Sequence, residues 1–149
     1  MIPESPSPAP DEFKNRPVRI LKQASTDAGM RYFRPASDLR MLLTFLERFE
    51  HLGWFPPIDL EKRRLLAAHD VIMHVVRGDL CFYEFCSKGA RGERQPWLSV
   101  FFHVDAHSTV RICGIVPVGD RMQHRQKTLD IIRLRVEMVQ DRLERRKEK

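Results

Sequence analysis

The sequence predicts an α+β fold: an N-terminal helical hairpin packs on a small, mainly antiparallel sheet of three to five strands, and an amphipathic helix ends the chain. Leucines at helical spacing occupy the first half, β-branched and aromatic runs separated by turns occupy the second, and the last segment has the clearest helical period. With 149 residues and 42% hydrophobic content, the chain can form one packed core but not two ordinary domains.

The two ends of the chain differ from its centre in composition. Residues 1–15 are rich in proline and poor in apolar side chains, which predicts a disordered tail. Residues 16–29 are interpreted as a short edge strand or a linker. If a strand forms, we expect it at the edge of the sheet, because Pro17 limits hydrogen bonding. A single α+β domain is then predicted over residues 30–143, followed by a basic, frayed tail over residues 144–149.

The first half of the predicted domain contains one strand and two helices. Met30 to Arg34 is predicted to be a strand, and a helix with one apolar face follows and ends near Gly53. Asp59 is predicted to cap the second helix of the hairpin. The apolar face of the first helix consists of Leu39, Leu42, Leu43, Leu46 and Phe49.

The second half predicts strands and then a long helix. Val71 to Val76 is either a strand or the end of a helix, and strands follow at Leu80 to Cys86, Trp97 to Val104 and Thr109 to Val118. Because these strands are apolar on both faces, we expect both faces of the sheet to be covered. His124 to Arg146 is predicted to be the final helix, with an apolar stripe formed by Leu129, Ile132, Val136, Val139 and Leu143.

The positive charge of the chain is concentrated near its end. The net charge is +6, and residues 121–149 contribute ten basic and five acidic groups, or +5 of that total. A local excess of this kind suggests that the final helix binds a polyanion or an acidic protein. A merely solvated helix face is the alternative interpretation.

Composition also limits the cellular setting. No apolar run is long enough to cross a bilayer and the start lacks the features of a signal peptide, so we expect a cytoplasmic protein without membrane partners. The cysteines Cys81, Cys86 and Cys113 form no C-x-x-C pair and are interpreted as buried thiols. No cofactor is expected.

Two basic segments are candidates for contact with phosphate. The loop containing Arg91 and Arg94 combines cations with glycines, which suits phosphate binding, although a solvated hairpin loop has the same composition. Arg121 and His124 lie where the last strand gives way to the final helix. Cations with an imidazole meet the needs of metal-free RNA cleavage. Ordinary residues at the N-terminus of a helix are the alternative interpretation, which the sequence favours.

Two further combinations of polar residues are candidates for a metal site and for an acid/base pair. His103, Asp105 and His107 alternate, so an extended strand would present them together as ligands for zinc or iron. A turn is predicted at Asp105, however, and it would destroy that alternation, so no metal site is expected. Glu84 and Asp105 could also form an acid/base pair, although their spacing does not support it.

Three segments carry a resemblance to a known family. The stretch from Met30 to Pro35 before a leucine-rich helix, the apolar strand Leu80 to Phe85 and the hairpin within Trp97 to Gly114 resemble the RelE/HigB-like toxin superfamily. Its members are small ribosome-dependent mRNA endonucleases. Cys86 stands where the family strand usually ends in arginine, and no tyrosine follows Tyr83, so the chain is interpreted as an active member or a degenerate relative.

The resemblance implies a metal-independent endoribonuclease with RNA or the ribosome and an antitoxin-like protein as partners. In that case Arg91, Arg94 and Arg121 would hold phosphate, and His124 would be the acid or base, with His107 as its alternative. The competing hypothesis is a non-catalytic interaction module. It would bind nucleic acid or an acidic partner protein through its basic C-terminal helix.

Overall fold

The described part of the chain is built around a five-stranded mixed sheet. The computed structural model describes residues 18–34, 38–40, 44, 59–68, 71–87, 97–105 and 109–148. The strands are β1 (Val18–Ile20), β2 (Val71–Arg77), β3 (Leu80–Ser87), β4 (Leu98–Val104) and β5 (Val110–Pro117). The helices are α1 (Leu60–Ala68), α2 (Val118–Gln123) and α3 (Arg125–Glu148), with 3₁₀ turns at Ala24–Thr26 and Ala28–Arg31. This confirms the predicted α+β class and the C-terminal helix.

The strand order is β1-β5-β4-β3-β2. Strands β2 to β5 pair antiparallel with their sequence neighbours, whereas β1 joins the outer edge of β5 in parallel. Gly78 has a φ of 50° in the tight turn between β2 and β3, a conformation that glycine adopts without a steric penalty. The segment starting at Val71 is therefore a strand and not the end of a helix.

Both faces of the sheet are covered, as its apolar strands predict. On one face, Phe102 and Ile112 belong to a core cluster that also contains Phe33 and Leu66 of the N-terminal half. On the other face, which we call the helix-side face, side chains of α3 complete a second cluster. Its buried members are Phe82, Phe101, Cys113, Ile132 and Val136.

The predicted strand from Met30 to Arg34 is wrong. Ala28–Arg31 forms a 3₁₀ turn instead, in which the Met30 amide donates to the Asp27 carbonyl at 3.0 Å. The edge of the sheet beside β5 is already occupied by β1, so the following residues pack over β5 and do not extend the sheet. Within residues 16–29, which the sequence interprets as an edge strand or a linker, Val18–Ile20 form an edge strand.

The predicted helical hairpin is only partly covered by the described residues. Its second helix is α1, and the Asp59 carboxylate accepts a hydrogen bond from the Lys62 amide at 2.9 Å, which confirms the predicted cap. Residues 38–40 are helical, but 41–43 and 45–58 lie outside the described residues, as does the predicted tail 1–15. The hairpin as a unit stays a prediction.

Helix α3 is the longest element, with 24 residues. It continues to Glu148, past residue 143, where the sequence predicts fraying. Its apolar stripe packs on the sheet through Ile132 and Val136. Its outer surface carries charged residues together with the exposed apolar side chains of Ile131, Leu134 and Met138. Among the helices that the structure describes, none is both long and apolar enough to cross a membrane.

The close approach of the 3₁₀ turn to β5 leads to a stability prediction. A Cβ atom on Gly29 would lie 2.5 Å from the carbonyl oxygen of Ile115, which is backbone within the sheet and cannot move aside. We expect Gly29→Ala to lower the free energy of unfolding by about 2 kcal/mol. Gly119→Ala is the matched control because no atom lies within 4 Å of its added Cβ; urea denaturation that affects both variants equally would contradict the prediction.

Candidate functional site

Polar side chains on the helix-side face form two separate groups. The strand register places Glu84 beside Phe101 and His103 beside Arg111, so these residues share that face. The first group, the Glu84 cluster, consists of His74, Glu84, Ser99 and Arg121. The second, the arginine cleft, contains Arg19, Arg111, Arg142 and Arg146.

The Glu84 cluster is a buried ion-pair network. Arg121 donates from Nε to Glu84 Oε2 at 3.0 Å and from Nη2 to Oε1 at 3.2 Å, and His74 Nε2 lies 2.9 Å from Oε1. Burial acts to raise the pKa of Glu84, but hydrogen bonds from His74, Arg121 and Ser99, with the charge of Arg121, lower it to about 2. The cluster therefore fixes α2 to the sheet.

Within the cluster, the predicted phosphate ligand Arg121 is engaged by protein groups. Besides its two bonds to Glu84, its Nη1 donates to the Arg125 carbonyl at 3.1 Å, and the guanidinium lies 5.6 Å from the centre of the Phe101 ring. His124 is exposed between α2 and α3, and its amide donates to the Asp120 carbonyl. Arg121 is thus positioned as a structural group.

The remaining predicted catalytic residues, Arg91, Arg94 and His107, lie outside the described residues. Their convergence with Arg121 and His124 stays a prediction. The predicted alternative pair, Glu84 with Asp105, is not formed, because each carboxylate is bound by a different arginine. Neither carboxylate is therefore free to act on the other.

The arginine cleft lies between β1, β5 and the end of α3. It has a volume of about 480 Å³. Apolar residues including Leu21, Val139 and Leu143 line it together with the four arginines. A concave surface that presents several guanidinium groups is a site for an anion.

The fold brings these arginines together from distant parts of the sequence. The parallel pairing of β1 with β5 aligns Arg19 directly with Arg111. Arg142 and Arg146 are four residues apart on α3, so they lie on the same helix face. Like charges placed side by side cost stability in both sheets and helices, which favours a functional reason for their arrangement.

One carboxylate, that of Asp105, binds an arginine of the arginine cleft. Asp105 accepts a short hydrogen bond from Arg111 Nη1 and another from the Thr109 amide at 3.0 Å, so it fixes the position of the Arg111 side chain. Arg19, Arg142 and Arg146 form no ion pair with any residue that the structure describes. Among the described residues, four guanidinium charges less one carboxylate leave three positive charges uncompensated.

No protein-family model, curated protein or solved structure matches this chain. The resemblance to RelE/HigB-like toxins accordingly stays a prediction based on short segments of the sequence. Among the described residues, the arginine cleft is the feature that most clearly indicates a function.

The residues of the hypothetical metal site have other roles. His103 Nδ1 donates to the Cys81 carbonyl at 2.9 Å, and burial lowers the pKa of its imidazole, so the ring is neutral. Asp105 is bound to Arg111, and His107 lies outside the described residues. In the part of the chain that the structure describes, no three His, Cys, Asp or Glu residues form a group able to hold a metal ion.

The prediction that the cysteines are buried thiols is confirmed for two of the three. Cys81 and Cys113 are buried, and Cys86 is half-buried. Burial raises the pKa of Cys81, and it raises that of Cys113 to about 12, so both thiols stay protonated at neutral pH. They contribute to packing and not to reactivity.

Two of the four cleft arginines lie in the segment where the sequence predicts excess positive charge, although neither was named as a binding residue. The four-residue spacing of Arg142 and Arg146 is visible in the sequence. Arg19 and Arg111 were missed as binding residues. The sequence did contain a signal that could have indicated them: an arginine lies inside an otherwise apolar strand. A charge at a half-buried position needs a partner or a function.

Proposed function

We propose that this domain is a nucleic-acid-binding module that holds phosphate groups in the arginine cleft. The observation that supports this function is the convergence of four arginines, three of them without an ion pair among the described residues. Guanidinium groups that neutralise phosphates release the cations condensed around the nucleic acid, and this release supplies most of the affinity of binding that does not depend on nucleotide sequence.

The chemistry of the cleft suits phosphate groups. All the described cationic residues that line it are arginines, whose planar guanidinium groups bind phosphate oxygens through two parallel hydrogen bonds. Among the described residues, the lining contains no aromatic or amide side chain, and guanidinium groups that bind phosphate oxygens carry no information about the bases. We therefore expect binding that depends weakly on nucleotide sequence.

Cleavage of RNA in the manner of RelE/HigB-like toxins is a separate hypothesis. No contact among the described residues favours it, since Arg121 is bound to Glu84 and His124 is exposed without a side-chain partner among them. An antitoxin-like partner belongs to the same hypothesis. An acidic protein partner is the remaining alternative, because carboxylates also bind arginine in pairs.

Substitution of the two helix arginines tests the proposed function. We expect Arg142→Ala with Arg146→Ala to weaken binding of a labelled 12-nucleotide single-stranded RNA about 30-fold, at about 1 kcal/mol for each lost contact. Fluorescence anisotropy in low salt measures the dissociation constant. Because both residues are exposed, the double variant should keep its fold, which circular dichroism can verify.

The matched control is Arg63→Ala with Arg64→Ala, which removes the same charge. Both arginines are exposed on α1, whose Leu66 packs on the opposite face of the sheet. We expect less than a twofold change for this variant. Equal losses of RNA affinity for the two double variants would show that only net charge matters and would contradict binding in the cleft. Shortening of the RNA during the assay would support the endoribonuclease hypothesis instead.

A further inference from the structure

We propose that the arginine cleft recognises a terminal phosphate of the nucleic acid in preference to its internal phosphodiesters. This inference rests on the proposed function and specifies its ligand. The chemical class of the ligand is a phosphomonoester at either end of a single strand.

The charge of the cleft supports a terminal phosphate. Within the part of the chain that the structure describes, three guanidinium groups remain uncompensated after Asp105 is paired with Arg111. An internal phosphodiester carries one negative charge, whereas a phosphomonoester carries about 1.5 to 2 at neutral pH and presents three acceptor oxygens. The monoester therefore matches both the excess charge and the number of converging donors more closely.

The burial of Arg111 within the cleft supports the same ligand. The Arg111 side chain is only 14% exposed and is held by Asp105, whereas Arg19, Arg142 and Arg146 are exposed. A ligand that contacts all four arginines of the cleft must reach the largely buried Arg111. The end of a strand can do this more readily than a phosphate whose chain continues in both directions.

The size and lining of the cleft differ from those of a groove that follows a strand. Its volume of about 480 Å³ is in the range of pockets that enclose a small molecule, about 300 to 1,000 Å³. Grooves that follow single strands usually stack successive bases on aromatic side chains, and none of the described residues that line this cleft is aromatic. The cleft thus has the dimensions of a site for one terminal nucleotide.

Three forms of one RNA test this inference: a 12-nucleotide strand with a 5′-phosphate, the same strand with a 3′-phosphate, and the same strand with hydroxyls at both ends. We expect the full chain to bind at least one phosphorylated form about tenfold more tightly than the dihydroxyl form, as an added charge-assisted contact would produce. Inorganic phosphate should displace the preferred form at concentrations that leave the dihydroxyl form bound.

Arg19→Ala tests which residue provides the preference. We expect it to reduce the preference to less than about threefold, whereas Arg64→Ala, on the opposite face, should keep it. Equal affinities for all three RNAs, with the loss for the Arg142 and Arg146 double variant still present, would overturn end recognition and leave nucleic-acid binding intact. Failure of the chain to bind any of the three would overturn both proposals.

Discussion

Replacing Arg135 by alanine is expected to lower the free energy of unfolding by about 3 to 5 kcal/mol. Arg135 Nη2 donates to Asp27 Oδ1 at 2.9 Å, and Nη1 donates to Asp27 Oδ2 at 3.0 Å and to the Cys113 carbonyl at 2.7 Å. Both side chains of the ion pair are largely buried, at 16% and 14% exposed. The substitution would leave the Asp27 carboxylate without its counter-charge in a poorly hydrated site.

The Arg135 ion pair also holds three elements together. The Asp27 carboxylate accepts a hydrogen bond from the Ile115 amide at 2.9 Å, so the N-terminal segment, β5 and α3 meet at this point. Its loss would loosen the helix that carries Arg142 and Arg146. Phosphate binding should therefore weaken as an indirect consequence.

Urea denaturation followed by circular dichroism measures the effect of Arg135→Ala. Arg133→Ala is the control on the same helix, because Arg133 makes only a partly exposed ion pair with Asp130 at 4.0 Å and should change stability by less than about 1 kcal/mol. A loss below about 1 kcal/mol for Arg135→Ala would show that the ion pair does not hold α3 in place.

Replacing Glu84 by glutamine is expected to lower the free energy of unfolding by about 3 kcal/mol at neutral pH. The substitution keeps the size of the side chain but removes the charge that balances Arg121. The folded-state pKa of Glu84, about 2, lies below the ordinary value near 4.3. Its stabilisation is therefore complete above the ordinary pKa and is lost as the pH falls toward 2.

The pH dependence separates this charge effect from a packing defect. We expect the difference in unfolding free energy between the wild-type chain and Glu84→Gln to shrink steadily from pH 5 to pH 2. Glu144→Gln is the control, since Glu144 is exposed and contacts Gln140 on the surface of α3. A difference for Glu84→Gln that is constant over this range would contradict the ionic role of Glu84.

Local patterns predicted most of the sheet and the final helix. Apolar runs located β3, β4 and β5 to within two residues at each end, and Asp59 correctly marked the start of α1. The same patterns failed at Met30, because a short apolar stretch cannot show whether the edge beside β5 is vacant. That edge is occupied by β1 through a pairing that spans about ninety residues of sequence.

The candidate site was less predictable because its residues combine through the fold. Arg142 and Arg146 share a face by helical spacing alone, so the sequence could indicate them. Arg19 and Arg111 meet only through the register of a parallel strand pair. Arg121 looked available in the sequence because its partner, Glu84, lies 37 residues earlier in the interior of β3.

The salt dependence of RNA binding tests the role of the arginine cleft most directly. If Arg19, Arg142 and Arg146 each neutralise a phosphate charge, the logarithm of the association constant should fall with the logarithm of salt concentration with a slope of about −2. Alanine at all three positions should bring the slope close to zero and remove most of the affinity. A triple variant that keeps the slope of the wild-type chain would contradict phosphate binding in the cleft.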